Sequence, residues 1–90
     1  YIASVYSNVG IIYQLKGQLF KALLFYKRSL TLRKRHLPRN HSNIGGSCNN
    51  IGGIYYSLAE LDLALKYFNR SLKIRLKSLP SEHQDVALSY

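Results

Sequence analysis

The sequence contains little cysteine and no long apolar run, and each scarcity excludes a class of protein. Cys48 is the single cysteine among 90 residues, so an internal disulfide framework is excluded and a reducing, cytoplasmic location is expected. No stretch approaches the run of about 18 apolar residues that a membrane-spanning helix needs. No signal peptide is recognisable either. We therefore expect a chain that does not span a membrane.

Acidic residues are also scarce, and their distribution is uneven. The chain has 13 Lys and Arg against four Asp and Glu, which gives a net charge of +9. Residues 1–48 hold eight of the basic residues and no acid, so they carry +8, whereas residues 49–90 carry +1. This balance is compatible with an acidic protein, an anionic membrane or nucleic acid as a partner, but it says nothing about the fold.

The residues that support catalysis are missing or badly spaced, so we do not expect an enzyme. Cys48 and His41 have no third group to orient them as a nucleophile and base. One cysteine and three histidines do not offer the four ligands of a zinc site. The pairs Gly45-Gly46 and Gly52-Gly53 lack the Lys-Ser/Thr that completes a phosphate-binding loop. We expect no cofactor and no metal, and His41 is interpreted as a residue that structures its loop.

The strongest feature that is present is an internal repeat of 42 residues. The segments that return at this spacing are Asn8-Val9-Gly10 as Asn50-Ile51-Gly52, Arg28-Ser29-Leu30 as Arg70-Ser71-Leu72, Leu37-Pro38 as Leu79-Pro80, and His41 as His83. Periods in this range are typical of stacked helical repeats, which build extended binding surfaces. We predict one repeat over 1–42, a second over 43–84, and the start of a third over 85–90. Because about three repeats are usually needed for an independent fold, we expect either a piece of a longer array or an array that lacks capping repeats.

Apolar spacing predicts two helices in each repeat. The predicted helices are Ile2 to Leu15, Gln18 to Arg35, Asn43 to Leu58 and Glu60 to Lys77, with Ser81 or Asp85 as the N-cap of the next. Gly17 is expected to end the first helix, and Leu37-Pro38 the second, because the residue before proline avoids helical angles. The fold class is therefore all-α, an α-solenoid of antiparallel helix pairs with two full repeats and the start of a third.

Glycines crowd the third predicted helix. An interior glycine costs about 0.5–1 kcal/mol relative to alanine. Gly52 repeats Gly10, so both are expected to mark a close approach between helices. Gly45, Gly46 and Gly53 have no such explanation in the sequence, and we predict that this helix starts late or frays at Gly45–Gly46.

The alternation of small and large residues resembles the tetratricopeptide repeat. The residues that match this family's pattern are Gly10 and Gly52, Tyr13 and Tyr55, Ala22 and Ala64, and the aromatic pairs Phe25-Tyr26 and Tyr67-Phe68. The period of 42 and the Leu-Pro-x-x-His segments at Pro38 and Pro80 are similar to the long repeats of kinesin light chains and nephrocystin-like proteins. The resemblance implies a scaffold or adaptor that binds protein or peptide partners, with flanking repeats of the same chain packed against it.

The resemblance also implies a concave groove lined by the first helix of each pair. The implied groove residues are Ser4, Ser7, Asn8, Ile11 and Gln14 from the first helix, and Gly46, Asn49, Asn50, Gly53 and Tyr56 from the third. The family's groove asparagine falls on Asn8 and Asn50, whose carboxamides can bind a peptide backbone through both donor and acceptor atoms. The alternative is that both asparagines serve only the scaffold. These positions hold no Lys or Arg, so a clamp for a terminal carboxylate is not expected.

A second hypothesis rests on the basic amphipathic helix over Gln18–Arg35. Its cations could bind an anionic surface, either membrane lipid or RNA. The candidate basic face consists of Lys27, Arg28, Arg33, Lys34, Arg35 and Arg39. A weaker form of the pattern recurs over Glu60–Lys77, which favours a packing helix, and the aromatic residues fall at packing positions, so nucleic acid is not the expected partner. A third hypothesis is a passive spacer for an enzymatic domain elsewhere in the parent chain.

Overall fold

Four α-helices make up the computed structural model, which describes residues 2–78. They are α1 (Ile2–Leu15), α2 (Leu19–His36), α3 (Ser42–Ser57) and α4 (Leu61–Ser78). Every predicted boundary lies within one residue of the observed one, and the all-α prediction is confirmed for the described part of the chain. The start of the third repeat, the Leu79-Pro80 stop, His83 and the N-cap at Ser81 or Asp85 lie outside the described residues. The repeat boundaries remain predictions.

The turn between α1 and α2 is a Schellman motif built on Gly17. Gly17 has φ of +78°, which glycine adopts without steric cost. Its N–H donates to the carbonyl of Gln14 at 3.0 Å, and the N–H of Gln18 donates to the carbonyl of Tyr13 at 2.9 Å. These bonds satisfy the last carbonyls of α1, so α2 can fold back against α1 after a short turn.

The second pair uses the same turn with a less suitable residue. Ala59 stands where the first repeat has Gly17, and its φ is +62°. Its N–H donates to Tyr56 at 3.0 Å, and the N–H of Glu60 donates to Tyr55 at 2.9 Å. The hydrogen bonds therefore repeat, although alanine is strained at a positive φ.

The connection from α2 to α3 follows the predicted stop and adds a cap. Leu37 is extended, with φ of −120° and ψ of 153°, immediately before Pro38. His41 caps α3, because its Nδ1 accepts a hydrogen bond of 3.0 Å from the backbone N–H of Asn43. The interpretation of His41 as a residue that structures its loop is confirmed.

The predicted late start of α3 is wrong, and fraying at Gly45–Gly46 remains a prediction. The helix begins at Ser42 and continues through Gly45 and Gly46. The His41 cap supports its first turn, and Gly45 faces α4 so closely that an added Cβ would lie 3.2 Å from Cγ2 of Ile74. Gly45 thus has the packing role that we did not predict for it.

The expectation for the repeated glycines is confirmed. A Cβ on Gly10 would lie 2.8 Å from a ring carbon of Tyr26, and one on Gly52 would lie 2.9 Å from a ring carbon of Phe68. Real Cβ atoms do not approach other atoms so closely, so each glycine lets an aromatic ring of the second helix press on the first.

The core runs along the chain of contacts from α1 to α2, α2 to α3, and α3 to α4. Its buried apolar side chains are Ala22, Tyr26, Leu30, Ile44, Cys48, Ile51, Ile54, Tyr55, Ala64 and Ile74. Aromatic pairs flank it: Tyr13 stacks on Phe25 with ring centres 5.5 Å apart, and Tyr55 stacks on Tyr67 at 5.7 Å. The aromatic residues that matched the family pattern are therefore packing residues.

Candidate functional site: a polar helix face and a basic junction

The predicted groove residues of α1 divide into two groups. Ser4, Asn8 and Ile11 are exposed and available to a ligand. Ser7 is buried, and its Oγ lies 2.7 Å from the Oγ of Ser29 on α2, so it is a packing residue rather than a groove residue. The Oε1 of Gln14 accepts a hydrogen bond of 2.8 Å from the Tyr26 hydroxyl, which directs this side chain toward α2 as well.

One face of α3 presents the second set of groove residues. Asn49 is exposed, Asn50 is half-buried, and Tyr56 is 66% exposed. A Cβ added to Gly46 or Gly53 would meet no atom within 4 Å. These residues recur at three- and four-residue steps, so α3 carries a polar strip with two bare stretches of backbone.

The different exposure of Gln14 and Tyr56 has a simple cause. The two occupy equivalent repeat positions, as do their neighbours Tyr26 and Phe68. Tyr26 has a hydroxyl that binds Gln14, whereas Phe68 has none, so the corresponding bond to Tyr56 does not exist. In the second repeat the Tyr56 side chain is therefore free to contact solvent or a ligand.

The residues of the candidate basic face do not all lie on one free surface. Arg33 bridges the repeats, because its Nη1 donates to the carbonyl of Asn43 at 3.1 Å and to the Oγ of Ser47 at 2.7 Å. Lys27 also reaches the second repeat, with its Nζ 5.6 Å from the centre of the Tyr55 ring. The hydrogen bond to Tyr55 raises the pKa of Lys27, and burial opposes this in part. Both cations are junction contacts.

Lys34 and Arg39 instead line a cavity between the repeats. The cavity has a volume of about 590 Å³, and α4 contributes three further cations to it, Arg70, Lys73 and Lys77. Sequence reasoning missed these three. Their spacing at positions i, i+3 and i+7 of one predicted helix is the signal that could have found them. The remaining members are Arg28, whose guanidinium lies 5.5 Å from the Phe25 ring centre, and the exposed Arg35.

Cys48 lies in the core, next to the basic cavity. Burial raises the pKa of the Cys48 thiol, and the charges of Arg70 and Lys34 oppose that effect in part. The thiol is therefore held in its unreactive neutral form. His41 is engaged in capping α3, so the candidate Cys48–His41 pair has no support from the geometry.

The outer face of α1 has no covering helix within residues 2–78. Ile2 is 62% exposed and Ile12 is 55% exposed, whereas their repeat equivalents Ile44 and Ile54 are 3% and 0% exposed. The difference arises because α2 packs against α3. None of the described helices combines the length and apolarity that crossing a bilayer requires.

The two helix pairs share the same design. In each pair a glycine of the first helix faces an aromatic ring of the second, and the turn between the helices has the same hydrogen bonds. The chain is therefore a helical-repeat protein. A family model described as tetratricopeptide repeat matches residues 1–77, and the chain belongs to that family. Tetratricopeptide repeats are generally modules for protein–protein interaction. Among curated proteins, none matches this chain.

Proposed function

We propose that this chain binds an extended peptide segment of a partner protein along α1 and α3. The binding surface consists of Ser4, Asn8 and Ile11 from α1 and of Gly46, Asn49, Asn50, Gly53 and Tyr56 from α3. The observation that carries the proposal is the open space around Gly46 and Gly53. Both glycines weaken α3, and neither is needed for a contact among the described residues.

The argument from the glycines is one of free energy. Gly10, Gly45 and Gly52 offset their helical cost through close packing against Tyr26, Ile74 and Phe68. Gly46 and Gly53 gain nothing comparable, although each costs about 0.5–1 kcal/mol relative to alanine. A peptide that packs against the bare backbone of α3 would explain why these two positions lack side chains. Asn49 and Tyr56, on the same face, would then act as its polar neighbours.

The carboxamides supply the expected chemistry of recognition. Asn8 and Asn50 each offer two N–H donors and a carbonyl acceptor, which match the acceptor and donor groups of a peptide backbone. Such contacts tolerate many side chains in the ligand. Ile11 adds an exposed apolar contact beside Asn8.

A peptide library selected on the wild-type protein provides ligands for the test. Gly46→Leu and Gly53→Leu fill the strip without disturbing the core, since nothing lies within 4 Å of either added Cβ. We expect each substitution to lower the affinity for the selected peptides about tenfold or more, and a tenfold loss corresponds to about 1.4 kcal/mol of binding free energy. Asn69→Leu, which adds the same side chain at an exposed position of α4, is the matched control. Unchanged affinity in both glycine variants would refute the proposal.

The asparagines are tested on the same peptides. Asn8→Ala combined with Asn50→Ala should weaken binding at both low and high salt, because neutral hydrogen bonds are screened little. Peptides that bind the double variant normally but dissociate in salt would instead point to the basic residues.

We also propose the finer features that the family relationship makes reasonable. These are a long-repeat type similar to kinesin light chains, a cytoplasmic location, the absence of catalysis, and a further helix pair that covers α1. The 42-residue spacing supports the first, and the exposed apolar residues Ile2 and Ile12 support the last.

A further inference from the structure

The cavity between the repeats has a cationic rim and an apolar floor. Lys34 and Arg39 come from α2 and the loop that follows it, and Arg70, Lys73 and Lys77 come from one side of α4. Leu37, Ile44 and Ile74 form the floor. The name junction pocket is used below for this cavity of about 590 Å³. Its cationic rim belongs to the second helices of the pairs and to the loop, and α3 contributes only Ile44 to its floor, whereas the proposed peptide face lies along α1 and α3.

The charge of the junction pocket is not balanced within the described residues. Among residues 2–78, no carboxylate lines it. The carboxylates in residues 2–78 are Glu60 and Asp62 at the start of α4, and Asp62 precedes Arg70 by eight residues. At a rise of about 1.5 Å per residue that separation is about 12 Å along the helix. This exceeds the Debye length of about 8 Å at physiological salt, so Asp62 neutralises the pocket little.

Helix dipoles account for only part of the cation cluster. The C-terminal ends of α2 and α4 lie near Lys34 and Lys77, and each helix end carries about half a negative charge. Two helix ends therefore supply about one negative charge against five cations. Within the described part of the chain, this surplus leaves a concave positive site, in which field lines are focused and anions accumulate.

We infer that the junction pocket binds an acidic segment of a partner protein, with Asp or Glu carboxylates on its cationic rim and an apolar side chain on its floor. Charge complementarity requires the carboxylates, and Leu37, Ile44 and Ile74 require an apolar group between them. Because the cations come from both repeats, the bound segment also links α2 to α4.

The lining favours a peptide over the other polyanions. Single-stranded RNA is held by aromatic platforms on which bases stack, and none of the described residues that line the junction pocket is aromatic. A membrane surface requires apolar side chains that project into the acyl region. Here the apolar residues form the recessed floor, and Ile44 and Ile74 are buried.

The test uses short labelled peptides of stated composition. The probe is fluorescein-Glu-Glu-Leu-Glu-Glu, and the controls replace every Glu with Gln or the Leu with Ser. Fluorescence anisotropy at about 50 mM and about 300 mM salt reports affinity and its ionic part. We expect that the Gln peptide does not bind and that the Ser peptide binds more weakly than the probe. Raising the salt concentration should lower the affinity for the probe.

Matched variants distinguish binding in the junction pocket from nonspecific attraction to the net positive charge of the protein. Arg70→Ala with Lys73→Ala removes one Arg and one Lys from the rim, and we expect about a tenfold loss of affinity. Arg35→Ala with Lys16→Ala removes the same charge from exposed positions outside the pocket. This control pair should bind within about twofold of the wild type. Circular dichroism confirms that both pairs fold.

Equal losses in the two pairs would overturn the inference, because binding would then follow net charge alone. Failure of the Glu peptide to bind, combined with pocket-dependent binding of oligouridylate or of phosphatidylserine vesicles, would also overturn it and assign the cations to RNA or membrane. Gly53→Leu should leave binding of the Glu peptide unchanged, so this result is independent of the proposed groove.

Discussion

The guanidinium of Arg33 donates a hydrogen bond of 2.7 Å to the hydroxyl of Ser47 and so ties the end of α2 to the start of α3. A second bond of 3.1 Å reaches the carbonyl of Asn43. Burial lowers the pKa of Arg33, but arginine remains charged throughout the accessible pH range. A residue that sequence reasoning assigned to a free basic face is therefore one of the contacts that hold the repeats together.

Replacing Arg33 with Met should destabilise the protein. The substitution keeps the aliphatic stem but removes a charged donor, and Ser47 is buried and would be left without this partner. We expect a loss of about 1.5–3 kcal/mol in the free energy of unfolding, measured by urea denaturation. Arg35→Met, at an exposed position of the same helix, is the control and should change stability by less than about 0.5 kcal/mol. A loss no larger than that of the control would mean that the junction bond contributes nothing.

Placing glycine in the second turn and alanine in the first, each as a single substitution, should change the stability of the protein in opposite directions. Ala59 has φ of +62° and Gly17 has φ of +78°, in turns with the same hydrogen bonds. Ala59→Gly should stabilise the protein by about 0.5–1 kcal/mol because glycine removes the steric cost of this angle. Gly17→Ala should destabilise it by a similar amount. The melting temperatures of the two variants should therefore lie on opposite sides of the wild-type value, and shifts of the same sign would contradict this account.

Four of the five helical glycines predict a second contrast in stability. Gly46→Ala and Gly53→Ala should each raise the free energy of unfolding by about 0.5–1 kcal/mol, because space is free and alanine favours the helix. Gly10→Ala and Gly52→Ala should lower it by about 1–3 kcal/mol, because the Cβ would lie under 3 Å from the rings of Tyr26 and Phe68. Chemical denaturation distinguishes the two sets. Stabilisation by Gly52→Ala would mean that the helices separate at little cost.

Much of the fold could be predicted from the sequence because it depends on local signals. Apolar spacing, Gly17 and Leu37-Pro38 gave the helix limits to within one residue. The separate prediction of a late start of α3 at Gly45–Gly46 was wrong, because the contact of Gly45 with Ile74 joins residues 29 positions apart and is not visible in the local sequence.

The candidate site was harder to predict because it depends on contacts between helices. Ser7 satisfied the pattern of a groove residue, yet its neighbour Ser29 withdraws it from the surface. Lys34 and Arg70 belong to one cavity, but that proximity is set by the stacking of two repeats rather than by spacing along the chain. The hydrogen bond from Arg33 to Ser47 was hidden for the same reason.

Ser29 and Ser71 occupy equivalent positions of the two repeats, but the loss of each hydroxyl should affect stability differently. Ser29 donates to the carbonyl of Ala3 at 2.8 Å and lies 2.7 Å from the Ser7 hydroxyl, whereas the buried Oγ of Ser71 has no hydrogen-bond partner within the described residues. Ser29→Ala should therefore cost about 1–2 kcal/mol, since it also leaves Ser7 without this partner. Ser71→Ala should be neutral or stabilising. Equal losses in urea denaturation would show that the Ser71 hydroxyl is also satisfied.

Ile12 and Ile54 allow a direct test of whether the outer face of α1 is covered. The two residues occupy the same repeat position, but Ile12 is 55% exposed and Ile54 is fully buried. Ile54→Ala should cost about 2–5 kcal/mol because it opens a cavity between the repeats. Ile12→Ala should change stability by less than about 0.5 kcal/mol in the isolated 90-residue chain, where α2 leaves that side chain in water. If a further helix pair is joined ahead of α1, as proposed, Ile12→Ala should become as costly as Ile54→Ala. A large cost of Ile12→Ala in the isolated chain, increasing with protein concentration, would instead mean that a second copy covers α1.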